Sequence, residues 1–132
     1  MKRLLLIGMV ALLQGCASFS LQTIKDKIPS FWDPNQSKVV IDIRQNVENL
    51  NCKEPHAPQI KIIKDNLQWC VLYSQSKGTQ DVLILVKPME STVDDFYKRS
   101  VEKQGTELYC ELKKKILITQ SSAVAKTVLG RF

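Results

Sequence analysis

Four cysteines and one histidine carry most of the reactive chemistry that this 132-residue sequence offers. The cysteines are Cys16, Cys52, Cys70 and Cys110; no two stand in Cys-x-x-Cys spacing, and with His56 alone beside them there is no zinc-ligand pattern. His56 lies between Pro55 and Pro58 in a stretch that reads as a loop, where a lone histidine is solvated or packed far more often than catalytic. There is no Gly-x-Ser-x-Gly elbow, no phosphate-binding glycine loop and no His-x-x-x-His pair. Asp94 and Asp95 are adjacent, so on a helix they point about 100° apart and cannot converge on one substrate. They read as a solvated helix start, favoured by the helix dipole. The chain is therefore expected to be no enzyme, to need no cofactor or metal, and to take no small-molecule substrate. The rival from another class is a small-ligand binder or enzyme with a pocket between its helices, which would require polar residues converging inside.

The second chemical feature is charge. Lys113, Lys114 and Lys115, with Lys98, Arg99 and Lys103 shortly before them, form the densest basic cluster. Three consecutive lysines cover most of a helix's polar arc, and a solvated face is the default reading. The functional reading is attraction to something anionic, such as lipid headgroups, lipopolysaccharide phosphates or an acidic partner. Residues 97 to 132 hold eight basic and three acidic side chains, whereas residues 16 to 96 hold nine and ten.

Cys16 is set apart by what precedes it. Met1-Lys2-Arg3, an apolar run from Leu4 to Leu13 and a small residue before a cut site make a secretory signal, too short for a membrane-spanning helix of roughly 20 residues. The segment Leu13-Gln14-Gly15-Cys16 resembles the lipobox of bacterial lipoproteins. That resemblance covers residues 1 to 16 and implies that residues 1 to 15 are removed and the Cys16 thiol and new amino group are acylated, with chains such as palmitate. Two or three acyl chains, at about 0.8 kcal/mol per buried methylene, anchor a protein in effect permanently. Within the class, Ala17 after the lipidated cysteine resembles the outer-membrane sorting choice, with the domain facing the periplasm; in a single-membrane source the location is the cell membrane. Small lipoproteins of this kind also occur in phages, where they resemble lysis spanin subunits or superinfection-exclusion factors. Export makes nucleic acid an improbable partner and an envelope protein the expected one.

Loss of the signal leaves 117 residues, enough for one small domain, with 17 basic and 13 acidic side chains. Residues 16 to 32 read as a lipidated tether reaching about 50 Å when extended, at roughly 3.3 Å per residue. Phe31 and Trp32 at its end either rest at the membrane interface or cap the core, the second being favoured. The domain proper then spans 33 to 132.

What must position these groups is an all-α fold. Asp33-Pro34-Asn35-Gln36 carries an N-cap, a first-turn proline and a capping-box glutamine, predicting a helix over about 34 to 51 with Val40, Ile43, Val47 and Leu50 inward. A second helix starts near Pro58, buries Ile60, Ile63, Leu67, Cys70 and Val71, and stops at Gly78. Trp69 and Tyr73, one turn apart, form either an exposed aromatic patch or part of the core, the core being favoured. Thr79 caps a third helix over about 80 to 102 with Val82, Leu85, Val86, Met89, Val93 and Phe96 inward, kinked or broken at Pro88; a strand over Val82 to Val86 is the lesser alternative. Thr106 opens a fourth that ends at Gly130, with Leu108, Leu112, Ile116, Ala123 and Val128 inward.

Four helices with short connections imply an antiparallel up-down-up-down bundle. The end of the first helix and the start of the fourth then share a pole, which pairs Cys52 with Cys110 and leaves Cys70 a buried free thiol. Such a bridge contributes about 3 to 4 kcal/mol in the chain-entropy account. The tether and the basic C-terminal region are expected at the opposite pole, with the loop from Cys52 to Pro58 facing a partner.

Overall fold

A computed structural model describes residues 31 to 130; the lipobox and most of the tether lie outside them. Helix α1 spans Pro34–Glu48, α2 His56–Lys77, α3 Gln80–Glu102 and α4 Glu107–Leu129. No strand occurs among the described residues. Each helix packs on two neighbours, α1 on α2 and α4, and α3 on α2 and α4, which closes an antiparallel four-helix bundle.

The local signals behave as their chemistry requires, with revisions at the end of α1, the start of α2, Pro88 and Thr79. Asp33 caps α1, its carboxylate accepting the Asn35 and Gln36 N–H groups at 2.9 and 3.1 Å, and Pro34 takes the first position. α1 nevertheless stops three residues short of the predicted end. The Gln59 amide accepts the Asn51 N–H at 2.8 Å and donates to the Asn51 carbonyl at 3.0 Å, so backbone groups that would extend the helix are satisfied from α2. α2 begins at His56, two residues early. Pro58 is then its third residue, where the N–H that proline lacks would have had no helical partner. α3 runs unbroken through Pro88, whose ring is exposed, and no strand forms at Val82 to Val86.

Gly78 ends α2 at φ +68°, the left-handed conformation that glycine adopts without a Cβ penalty, and Thr79 N–H closes onto the Ser74 carbonyl at 3.0 Å. Thr79 holds the N-cap position of α3 but its side chain makes no cap bond. Its hydroxyl is spent elsewhere. It donates to the Ser74 carbonyl at 3.3 Å and accepts from Gln36 Nε2 at 3.0 Å, while the same amide donates to Ser74 Oγ at 2.8 Å.

The predicted inward residues of α1, α2 and α3 are buried, except Leu85, which packs at the core's margin. α4 differs. Its buried positions are Cys110, Leu117, Ser121, Val124, Ala125 and Val128, and of the predicted set only Val128 is among them. Leu108, Leu112 and Ile116 face outward at 70, 52 and 46 % exposure, and Ala123 is exposed too. Cys52 and Cys110 are joined, with Cα atoms 5.5 Å apart, and Cys70 is a buried free thiol. Burial pushes that thiol up to about 11, with Ser74 opposing part of the rise, so it stays protonated and behaves as a small hydrophobe.

Candidate functional site

Among the described residues, the stapled pole brings together the disulfide, the histidine and part of the basic cluster. His56 is buried at its centre, with Nε2 2.9 Å from the Cys52 carbonyl. A carbonyl only accepts, so Nε2 donates to it, while Nδ1 is buried with no hydrogen-bond partner among the described residues. The imidazole meets Phe96 edge-on at 5.9 Å, and Phe96 meets Tyr109 edge-on at 5.6 Å, so the histidine belongs to the aromatic packing beneath the disulfide.

Outside this packing lies part of the basic cluster. Lys113 donates to Asp95 at 2.6 Å, and both Lys113 and Arg99 lie over the Tyr109 ring, Arg99 at 4.2 Å. The Lys113 hydrogen bond, with its charge, holds the Asp95 carboxyl below its ordinary value, and Asp95 in turn raises Lys113. Lys114 turns the other way and donates to the Leu50 carbonyl at 2.9 Å, satisfying the chain where α1 has ended. Lys98, Lys103 and Lys115 are exposed. The six basic residues thus form no single anion cradle: two brace α3 against α4, one closes the α1 end, and three face solvent. They also sit at the stapled pole, not the tether pole, because α3 arrives there and α4 departs from it. Of the basic C-terminal region, only Lys126 among the described residues lies near the opposite end.

That opposite pole is where residue 31 enters. Phe31 is 90 % and Trp32 52 % exposed, so neither caps the core. Asp33 is tied to Tyr73, whose hydroxyl donates at 2.9 Å, and approaches Lys77 at 3.9 Å. Partial burial raises its carboxyl, but the Gln36 and Asn35 N–H groups, the Tyr73 hydroxyl and Lys77 outweigh this and hold it below its ordinary value. Trp69 stacks on Tyr73, with centroids 4.7 Å apart, and at 45 % exposure forms a surface patch instead of joining the core. The chain matches no known protein family, no curated protein and no solved structure. Function is therefore read from surfaces.

Two grooves flank α2. One, of about 240 Å³, lies between α1 and α2 against Val39 and Trp69; the other, of about 340 Å³, lies between α2 and α3 with Lys64, Glu90 and Asp94 on its rim. His56 lines neither of them. Among the described residues no group of three metal-ligating side chains converges, and no helix is long and apolar enough to cross a membrane. The loop expected to meet a partner is half internal, since Cys52 and His56 are buried while Lys53, Glu54, Pro55 and Pro58 are exposed. The feature that sequence reasoning missed is apolar and outward-facing: Leu108, Leu112 and Ile116 along α4, and Ile62 and Leu72 beside Trp69 on α2. The signal was present, because α4 carries apolar residues on both faces and only one can be internal.

Proposed function

We propose that the chain is a lipid-anchored envelope protein whose helical domain is a noncatalytic interaction module. Cys16 carries the acyl chains, the segment to Trp32 spans the gap, and in a two-membrane cell the domain stands in the periplasm on the outer membrane. The observation that carries the interaction reading is the outward ridge Leu108, Leu112 and Ile116, three large apolar side chains on successive turns of one helix, each about half exposed or more. A membrane anchor raises the effective concentration of such a surface for anything else on that membrane, so a weak interface suffices. The tether enters at the pole opposite the disulfide, so the stapled pole and its basic side chains are carried away from the anchoring bilayer, toward a partner.

The test compares the full chain with its Cys16→Ser form, each expressed with its signal, by fractionation and by in-cell cross-linking. The natural chain is expected in the membrane fraction with an acylated N-terminus and discrete cross-linked products; Cys16→Ser should leave that fraction and lose most of them. Membrane retention of Cys16→Ser would remove the lipid anchor from the reading, and absence of cross-linked products from both would remove the interaction module.

A further inference from the structure

The two exposed apolar faces differ in the charges beside them, and that difference selects an occupant. Around the α2 face the charges are matched within the chain: Lys61 pairs with Asp65, Lys38 with Asp42 on the α1 side of the adjoining groove, and Lys64 with Asp94. On α4 they are not. Glu107, Glu111 and Lys115 stand one position beside Leu108, Leu112 and Ile116 respectively, so a charged row runs parallel to the apolar row, acidic at its N-terminal end and basic at its C-terminal end. All three are exposed, and none enters an ion pair among the described residues, although Glu111 and Lys115 are one turn apart. The other flank of the apolar row is already engaged, since Tyr109 and Lys113 are directed to Asp95 on α3.

A row of this polarity is complementary to itself when reversed. With a two-fold axis at Leu112, Leu108 of one copy faces Ile116 of the other, and Glu111 comes within two residues, about 3 Å along the axis, of the level of Lys115 in its neighbour. Side chains spaced by four form the ridge that packs into its like at a crossing angle near −50°. We infer that the α4 face binds a second copy of this chain, antiparallel, with Leu112 at the axis and Glu111 paired to Lys115 of the other copy. This rests on reading the domain as an interaction module and names that module's partner. Three partly exposed side chains cover much less than the roughly 800 Å² per partner of a stable complex, so the self-association is weak and depends on confinement to one membrane.

Sedimentation equilibrium of the full chain in density-matched detergent tests this, with in-cell cross-linking alongside. A concentration-dependent monomer–dimer equilibrium is expected. Leu112→Glu, which sets two carboxylates against each other at the axis, should weaken dimerisation at least about tenfold, and Glu111→Lys or Lys115→Glu alone should weaken it several-fold. The double variant Glu111→Lys/Lys115→Glu should restore it, as a self-complementary pair requires. Circular dichroism of each variant checks that the bundle is intact. A chain that stays monomeric to millimolar concentration, or a dimer insensitive to these changes but lost on Leu72→Glu, overturns the inference. If the chain is monomeric while Leu112→Glu abolishes cross-links to a different protein, the second copy is excluded and the interaction module stands.

Discussion

At one end of the bundle a covalent bond joins Cys52, just past α1, to Cys110 in the first turn of α4; at the other a single buried amide, Gln36, ties α1 to Ser74 and Thr79 at the turn between α2 and α3. Both links connect elements distant in sequence, by 58 residues in the first case and 38 and 43 in the second. They differ in how they act. The disulfide restricts the unfolded chain, whereas the amide acts only in the folded state and only while all of its partners remain. The comparison teaches that the pole joined to the tether depends on polar groups that must all be satisfied, while the outward pole is held independently of its exact packing.

The largest effect should come from cutting the covalent link. Replacing both Cys52 and Cys110 with Ala, so that neither thiol is left, should lower the unfolding free energy by about 4 kcal/mol for a loop of this length, as read in urea titrations. Dithiothreitol should produce nearly the same loss in the natural chain. A loss under about 1 kcal/mol would mean that the His56, Phe96 and Tyr109 packing already organises that pole in the unfolded ensemble.

At the tether pole Gln36→Leu should cost about 2 kcal/mol, because it strips a donor from two buried hydroxyls while keeping most of the volume. Removing these two hydroxyls as well, in Gln36→Leu/Ser74→Ala/Thr79→Val, should recover part of that loss, since the buried groups left without their donor are then gone. If the triple variant is merely the sum of its parts, the two poles are not distinguished by satisfaction of polar groups and the comparison fails.

How much of this could be read from residues alone follows the same division. The disulfide pairing was legible because connection lengths dictated which helix ends meet, and the stripes of α1 to α3 because their apolar residues occupy one face. α4 was misread at Leu108, Leu112, Ile116 and Ala123. Leu108, Leu112 and Ile116 repeat every four residues as a core stripe would, but Leu117, Ile118, Val124 and Ala125 are apolar on the opposite side. Periodicity does not choose between two apolar faces. The disulfide does, because Cys110 must point at Cys52, and about two to five turns on from it Leu117, Ser121, Val124 and Val128 point the same way. Gln36 and Thr79 were legible as caps but not as a network. Capping chemistry is local, while their bonding depends on α2 bringing Ser74 against them.

The smallest effects separate the poles by acid. Asp33 and Asp95 are both held below the ordinary carboxylate value, so each stabilises the fold above the unfolded value near 3.8 and loses that contribution as pH falls through its lowered folded value. Their surroundings differ, since Asp33's side chain is 19 % exposed and receives two backbone N–H groups, whereas Asp95's is 65 % exposed and screened by solvent. Asp33→Asn keeps an N-cap acceptor but no charge, so it should cost under about 1 kcal/mol at neutral pH while flattening the loss of stability below about pH 4. Asp95→Asn should cost roughly 0.5 kcal/mol or less, and that cost should shrink further in molar salt, where Asp33→Asn hardly changes. Unfolding titrations at pH 7 and pH 3, each with and without salt, resolve the two. If Asp95→Asn proves the costlier, the charged bracing of α3 on α4 contributes to the stapled pole beyond its disulfide, and that pole too depends on its polar surroundings.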